Sequence, residues 1–304
     1  MKLKYWIQAA RLRTLPLSMS GIIVGGALSY AYSVAFFDGC VFALLMLTTV
    51  LLQILSNFAN DVGDYQHGAD NAERIGPQRG LQTGGLSPIE MKRGVAVAAI
   101  LSFAVGVVML AVAFGFDTNF WAFLVFGVLT IISALRYTMG RNPYGYRGLG
   151  DVMVFVFFGM ATTIGSFYII SKTIVWQAVL LGFGIGFLSM GVLNINNMRD
   201  AETDKKTGKR TIIVKFGTRF GQIYHLCLCV LGVAAFVVVL TVWRLWLGLL
   251  LIGVPSVLLI NHGVKIYNCK NLKTIDPELK KLSLSTFWLV LMFAVTLFYT
   301  ISTI

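Results

Sequence analysis

The sequence predicts an all-α polytopic membrane protein, with about nine transmembrane helices packed as a bundle. Three observations predict it. Of its 304 residues, 57% are hydrophobic and 12% charged, with a mean hydropathy of +0.78, well outside the range of soluble domains. Nine apolar stretches reach the length of about 20 residues that a helical span needs. And 23 of the 25 Lys and Arg fall in alternate connections between those stretches, the asymmetry that membrane insertion produces.

The basic, aromatic amino terminus from Met1 to Trp6 reads as an interfacial segment, because the apolar run after it is too long for a signal-peptide core. The spans then cover 15–37, 39–59, 93–115, 119–137, 150–171, 174–195, 221–243, 245–266 and 283–303. Gly21, Gly25 and Gly26 in the first span, and Gly182, Gly184 and Gly186 in the sixth, predict close helix packing; the latter run follows no strand and is not a nucleotide loop. Pro255 predicts a kink in the eighth span. Asp151 opens the fifth span either as a favourable charge at a helix start or as a substrate contact. The odd connections carry only Lys172 and Arg244 and merely reverse the chain. The even ones are long, polar and basic, which places them and the amino terminus in the cytoplasm, with the carboxyl terminus outside, in a multi-pass protein of the cell (inner) membrane. With apolar segments from end to end, 1–304 is one domain, whose polar loops fall at about 60–91 and 196–220.

A net charge of +12 could suggest nucleic acid. Basic residues between membrane spans instead record topology and attraction to anionic lipid, so the expected environment is membrane lipid and no nucleic acid is expected. Cys40, Cys227, Cys229 and Cys269 lack metal-ligand spacing, and Cys227 and Cys229 point different ways on a helix, so they read as packing residues. His67, His225 and His262 are scattered along the chain and predict no cluster.

The chemistry concentrates where the second span ends. Gln53, Asn57, Asn60 and Asp64 recur at steps of four, three and four, so they share a helical face. Asn196, Asp200 and Asp204 repeat the pattern at the end of the sixth span. Carboxylates at a membrane boundary are costly unless paired or bound to a metal. Mg²⁺ suits such oxygens and commonly bridges carboxylates to phosphates. Beside each acidic face stand cations, Arg74 and Arg79 after the first and Lys205, Lys209 and Arg210 after the second. Acids for Mg²⁺ together with bases for anionic oxygens make a diphosphate site at the cytoplasmic side of the bundle. The blander reading is two solvated helix ends, with half of the cations there for topology alone; matched positions on one side of the membrane argue against it.

These two motifs and the nine-span layout resemble the UbiA superfamily of intramembrane aromatic prenyltransferases over the whole chain. The widely shared first motif of that superfamily is Asn-Asp-x-x-Asp-x-x-x-Asp, whereas here five residues separate Asp64 from Asp70. The run from Asp64 to Asp70, Arg74-Ile75-Gly76-Pro77, Tyr146-Arg147-Gly148-Leu149-Gly150 and Arg13-Thr14-Leu15-Pro16-Leu17-Ser18 looks like the branch that prenylates 1,4-dihydroxy-2-naphthoate in menaquinone biosynthesis. The resemblance implies an active-site cavity in which Asp64, Asp70, Asp200 and Asp204, assisted by Asn60 and Asn196, hold Mg²⁺ and the diphosphate of a polyprenyl donor. Arg74, Arg79, Lys205 and Lys209 would help release pyrophosphate, the naphthoate ring would attack the allylic cation, and CO₂ would leave to give demethylmenaquinol. Asp61 is implied near the substrate, and Tyr137, Tyr146 and Arg147 near the aromatic pocket or the cation. A relative using 4-hydroxybenzoate, homogentisate or another acceptor, and a secondary transporter with repeated halves, are the competing expectations. Transporters usually hold their charges near the midplane, whereas here they gather at one face.

Overall fold

The computed structural model describes residues 2–69 and 76–302. Among the described residues, nine helices are long and apolar enough to cross a membrane: Leu15–Tyr32, Gly39–Gln66, Pro88–Phe114, Thr118–Arg136, Gly150–Ser171, Trp176–Arg199, Thr218–Val242, Trp246–Tyr267 and Asp276–Ile301. They are called the first to ninth spans below. Leu3–Ala10 forms a short helix before them, and Ala201–Lys206 and Ile212–Phe216 form two more between the sixth and seventh spans.

The spans close into a ring by packing in sequence from the fifth to the ninth, with the first span touching the second, fifth and ninth. The largest core joins the first span to the fifth through ninth, around Phe167, Ile185, Phe236 and Phe293. Smaller cores tie the second and third spans to the amino-terminal helix, and the first through fifth spans to one another. The glycines pack as their spacing predicts. Gly21 and Gly25 face Thr162, Thr163 and Ser166 of the fifth span, and Gly182 and Gly186 lie against Gly159, where an added Cβ would come within 2.5 Å of the Gly182 carbonyl and Gly186 Cα. The eighth span continues as a helix through Pro255.

Two boundary expectations need correction. Hydropathy ends the second span near residue 59 and the sixth near 195, yet the helices continue to Gln66 and Arg199, so 60–66 and 196–199 are helix rather than loop. Part of 201–216 is helical as well. The backbone ladder needs no apolar side chains, and the acids and amides of these last turns border a protein-lined cavity where ion pairs and hydrogen bonds offset their burial. A capping box starts the third span: Ser87 Oγ accepts from Glu90 N–H at 3.2 Å and Glu90 accepts from Ser87 N–H at 2.9 Å, with Pro88 in the first turn.

The even connections meet at one end. Arg210 N–H donates to the Tyr146 carbonyl at 2.8 Å, Lys273 pairs with Glu202 at 2.8 Å, and Arg199 contacts Asp276. Gly148 makes the first of these approaches possible: its φ is +86°, and a Cβ there would lie 2.7 Å from the Arg210 carbonyl. At the other end Lys172 donates to the Ala113 carbonyl at 2.6 Å and sits 3.6 Å from the Phe114 ring centroid. The basic and reversing connections therefore occupy opposite ends of the bundle.

Candidate active site at the basic end

A cavity of about 710 Å³ runs from the basic end into the bundle between the first six spans. Its inner wall is apolar, with Leu110, Phe126, Phe157, Phe158 and Ile169; its mouth holds Asn60, Asp61, Asp64, Asn196, Asp200 and Asp204. Both acidic motifs thus border one space, as their matched positions predict.

The first motif occupies the last turns of the second span. Asp64, 6% exposed, accepts from Arg79 Nη1 at 2.9 Å and from the Tyr146 hydroxyl at 3.0 Å. Asp61 Oδ1 receives Arg11 Nη2 at 2.6 Å and lies 3.1 Å from Arg79 Nη1. The Thr138 hydroxyl lies 3.2 Å from Asn60 Oδ1 and 3.1 Å from the Ala59 carbonyl. Thr138 can come this close because residue 63 is glycine: a Cβ there would lie 2.5 Å from the Thr138 backbone. Asn57, on the same face, serves the scaffold. It accepts from Gln53 Nε2 at 3.2 Å and donates to the Ala10 carbonyl at 3.0 Å, fastening the amino-terminal helix that delivers Arg11.

The second motif crosses the break between the sixth span and the helix Ala201–Lys206. The ladder continues through it, with Asp200 N–H donating to Asn196 at 3.0 Å and Asp204 N–H to Asp200 at 2.8 Å, so all three side chains line the cavity. Arg199 grips Asp200 through Nε at 2.8 Å and Nη2 at 2.5 Å. Asp204 is 5% exposed; its Oδ1 lies 3.7 Å from Lys209 Nζ, and its Oδ2 has no hydrogen-bond partner. Burial pushes the Asp204 carboxyl up to about 6, more than Lys209 offsets. Burial opposes the Lys209 charge, but Asp64 and Asp204 hold its pKa above the usual lysine range. Burial also pushes the Tyr137 hydroxyl, at the cavity wall, up to about 12.

Of the residues singled out in the sequence, the fold gathers Asn60, Asp61, Asp64, Arg79, Tyr137, Asn196, Asp200, Asp204 and Lys209 around the cavity, with Tyr146 reaching it through Asp64. Lys205 and Arg147 are exposed and do not line it; Arg147 offers its carbonyl to Lys215 at 3.2 Å. Asp70 and Arg74 lie outside the described residues. Arg11 and Arg199 went unremarked because each reads as a topology charge; an Arg adjoining a motif Asp at a span end was the available signal for Arg199. Asp151 does not line the cavity. It is buried in the first turn of the fifth span and accepts from the Tyr224 hydroxyl at 3.2 Å.

The donor set fits Mg²⁺. Asp204 Oδ2 is a buried oxygen with no partner, and three further carboxylates, of Asp61, Asp64 and Asp200, and the amides of Asn60 and Asn196 stand around the same mouth. Mg²⁺ keeps several waters and takes only one or two direct carboxylates, so the acids need not converge closely.

A model of the UbiA prenyltransferase family matches residues 18–288. The chain is similar to 1,4-dihydroxy-2-naphthoate octaprenyltransferase of Haemophilus influenzae, with 40% identity over 300 residues, 97% of this chain and 96% of the relative. The fold resembles that of a UbiA homolog from Aeropyrum pernix K1, with a TM-score of 0.69 at 18% identity, covering 96% and 99% of the two chains. It also resembles a UbiA homolog from Archaeoglobus fulgidus solved with GPP and Mg²⁺, with a TM-score of 0.62 at 17% identity over 96% and 99%. With the family model spanning most of the chain and a relative this close along its whole length, the chain belongs to the UbiA prenyltransferase family.

Proposed function

We propose that the protein transfers a polyprenyl group from its diphosphate to 1,4-dihydroxy-2-naphthoate, releasing pyrophosphate and CO₂ to give demethylmenaquinol. The observation that carries this reading is a single cavity with both acidic motifs and Arg79 and Lys209 at its mouth and an apolar chamber behind them. The Haemophilus influenzae relative, a 1,4-dihydroxy-2-naphthoate octaprenyltransferase, supports the acceptor. In this reading Asp64, Asp200 and Asp204, with Asn60, Asn196 and Asp70, would hold Mg²⁺, which neutralises charge on the departing diphosphate.

The chain's own groups do the rest. Arg79 and Lys209 face the diphosphate oxygens and stabilise the charge that develops as the C–O bond breaks; Arg74 joins them in this reading, while Lys205, exposed and off the cavity, adds little. The apolar wall receives the prenyl tail and excludes water from the allylic cation. Tyr137 and Tyr146 would shield that cation, with Asp61 near the acceptor; Arg147, exposed and off the cavity wall, would touch neither. Attack by the ring carbon bearing the carboxylate, followed by loss of CO₂, restores aromaticity without a covalent enzyme intermediate. The mouth faces the cytoplasm of a cell membrane, with the amino terminus inside and the carboxyl terminus outside, and 1–304 act as one domain.

Purified protein in detergent, given a polyprenyl diphosphate, dihydroxynaphthoate and Mg²⁺, should release pyrophosphate and prenylated naphthoquinol in equal amounts. Turnover of another aromatic acceptor with none of this one would overturn the acceptor assignment.

A further inference from the structure

Sequence spacing predicts no histidine cluster and no metal role for the cysteines, yet the fold assembles one. His225 and Cys229, four apart on the seventh span, meet His262 of the eighth; their ligand atoms lie within 4.8 Å of one another, the closest convergence of such groups among the described residues. We propose that His225, Cys229 and His262 form a structural site for Zn²⁺ or a similar thiolate-seeking transition metal, separate from the diphosphate site.

The geometry carries the proposal. His225 Nε2 and His262 Nδ1 are 3.3 Å apart, and Cys229 Sγ is 3.8 Å from His225 Nε2. A tetrahedral Zn²⁺ with bonds of about 2.0–2.1 Å to nitrogen and 2.3 Å to sulfur separates two nitrogens by about 3.3 Å, and a nitrogen from a sulfur by about 3.6 Å. These two separations match, and the third pair, Cys229 with His262, lies within 4.8 Å and would close on the ion.

The surroundings orient the ligands. His262 Nε2 lies 3.2 Å from the Glu278 carbonyl, which can only accept, so that nitrogen carries the proton and Nδ1 turns its lone pair toward the other two ligands. The Glu278 carboxylate stands 3.6 Å from the same Nε2 and is held by Lys265 and Lys281, each at 2.8 Å. That carbonyl and carboxylate are the partners that orient metal-bound histidines elsewhere. His225 and Cys229 are at most 1% exposed, and His225 Nδ1 has no partner. In this apolar interface His225 Nε2 meets only His262 Nδ1 and the Cys229 thiol, contacts that a metal ion would replace, while Nδ1 lies on the side of the ring away from the ion. None of these residues lines the cavity. Binding would replace the thiol proton by the metal, leave no bond broken in the chain, and tie the seventh span to the eighth, with the ninth held through Glu278.

The test uses the full chain in detergent, stripped with a chelator and titrated with Zn²⁺ or Co²⁺ alone. One equivalent should bind per chain, with a thiolate-to-Co²⁺ charge-transfer band that Cys229→Ser abolishes and that the double variant Asp64→Asn, Asp200→Asn retains. His262→Gln should weaken Zn²⁺ binding by more than 100-fold and Glu278→Gln by roughly tenfold. X-ray absorption of the Zn²⁺-loaded wild type should show a sulfur neighbour at about 2.3 Å; this readout stands even where a variant fails to fold. A shell of nitrogen and oxygen alone, or equal affinity in a folded Cys229→Ser, overturns the site.

Discussion

Replacing Asp204 by Asn should stabilise the metal-free protein at neutral pH, although Asp204 belongs to the proposed metal site. Burial moves its carboxyl from 3.8 up to about 6, a difference of about two units, each of which corresponds to about 1.4 kcal/mol. The sign follows from linkage: a carboxyl whose folded pKa is raised binds its proton more tightly in the native state. Its destabilising effect is absent below the unfolded value near 4, grows between pH 4 and 6, and is constant above. The cost at pH 7.5 is therefore about 3 kcal/mol. That figure already contains the attraction of Lys209 at 3.7 Å, so Asn should gain at most about 3 kcal/mol. Apparent melting temperatures in detergent, measured after chelation, should rise by several degrees at pH 7.5 and by about a third as much at pH 4.5. Mg²⁺ with a prenyl diphosphate should then stabilise wild type and not the variant. A variant no more stable than wild type at pH 7.5, or equally stabilised at both, would refute the assignment of Asp204 as a buried acid that Lys209 compensates only in part.

Further outcomes follow from the same geometry. Asp64→Ala and Asp200→Ala should each abolish turnover in a prenyl transfer assay, with gel filtration still showing folded protein. Lys209→Ala should lower kcat by at least tenfold, while Lys205→Ala, exposed and outside the cavity, should stay within about threefold of wild type. Gly165 lines the cavity with no atom within 4 Å of an added Cβ, and it lies fifteen residues into the fifth span, about 22 Å from its start. Gly165→Leu should therefore depress kcat/KM for long donors selectively over geranyl diphosphate, and an equal loss at every chain length would count against it. Removing Mg²⁺ with a chelator should weaken binding of a prenyl diphosphate analogue by at least tenfold, read by equilibrium dialysis.

The nine spans and the convergence of the two motifs were legible because hydropathy, charge asymmetry and a spacing of four each reflect strong local constraints. Helix ends were less so: Asn60, Asp61 and Asp64 are polar because they face a cavity, and nothing in a hydropathy window separates a cavity from bulk water. Arg199 looked like one topology charge among seven, and only the fold shows it buried between Asp200 and Asp276. The same limit hid His225, Cys229 and His262. His225 and Cys229 have helical spacing, but their third partner is 33 residues beyond Cys229 on another span, and that pairing is a property of packing between helices.

Charge at the cavity mouth gives the proposed Mg²⁺ requirement a physical basis. Asp61 is shared by Arg11 and Arg79, Asp64 is held by Arg79, Asp200 by Arg199, and Asp204 faces Lys209. Four acids thus stand beside four cations among the described residues, and the mouth is close to neutral as folded. That balance lets four carboxylates persist beside an apolar chamber, where unpaired charges would be costly. It also means that the chain's cations are already engaged. A prenyl diphosphate brings up to three negative charges, and drawing Arg79 or Lys209 toward it strips Asp64 or Asp204 of a partner. Asp64, Asp200 and Asp204 would hold a divalent ion at this mouth, and its charge would offset both deficits, that of the incoming oxygens and that of each acid whose cation is drawn away.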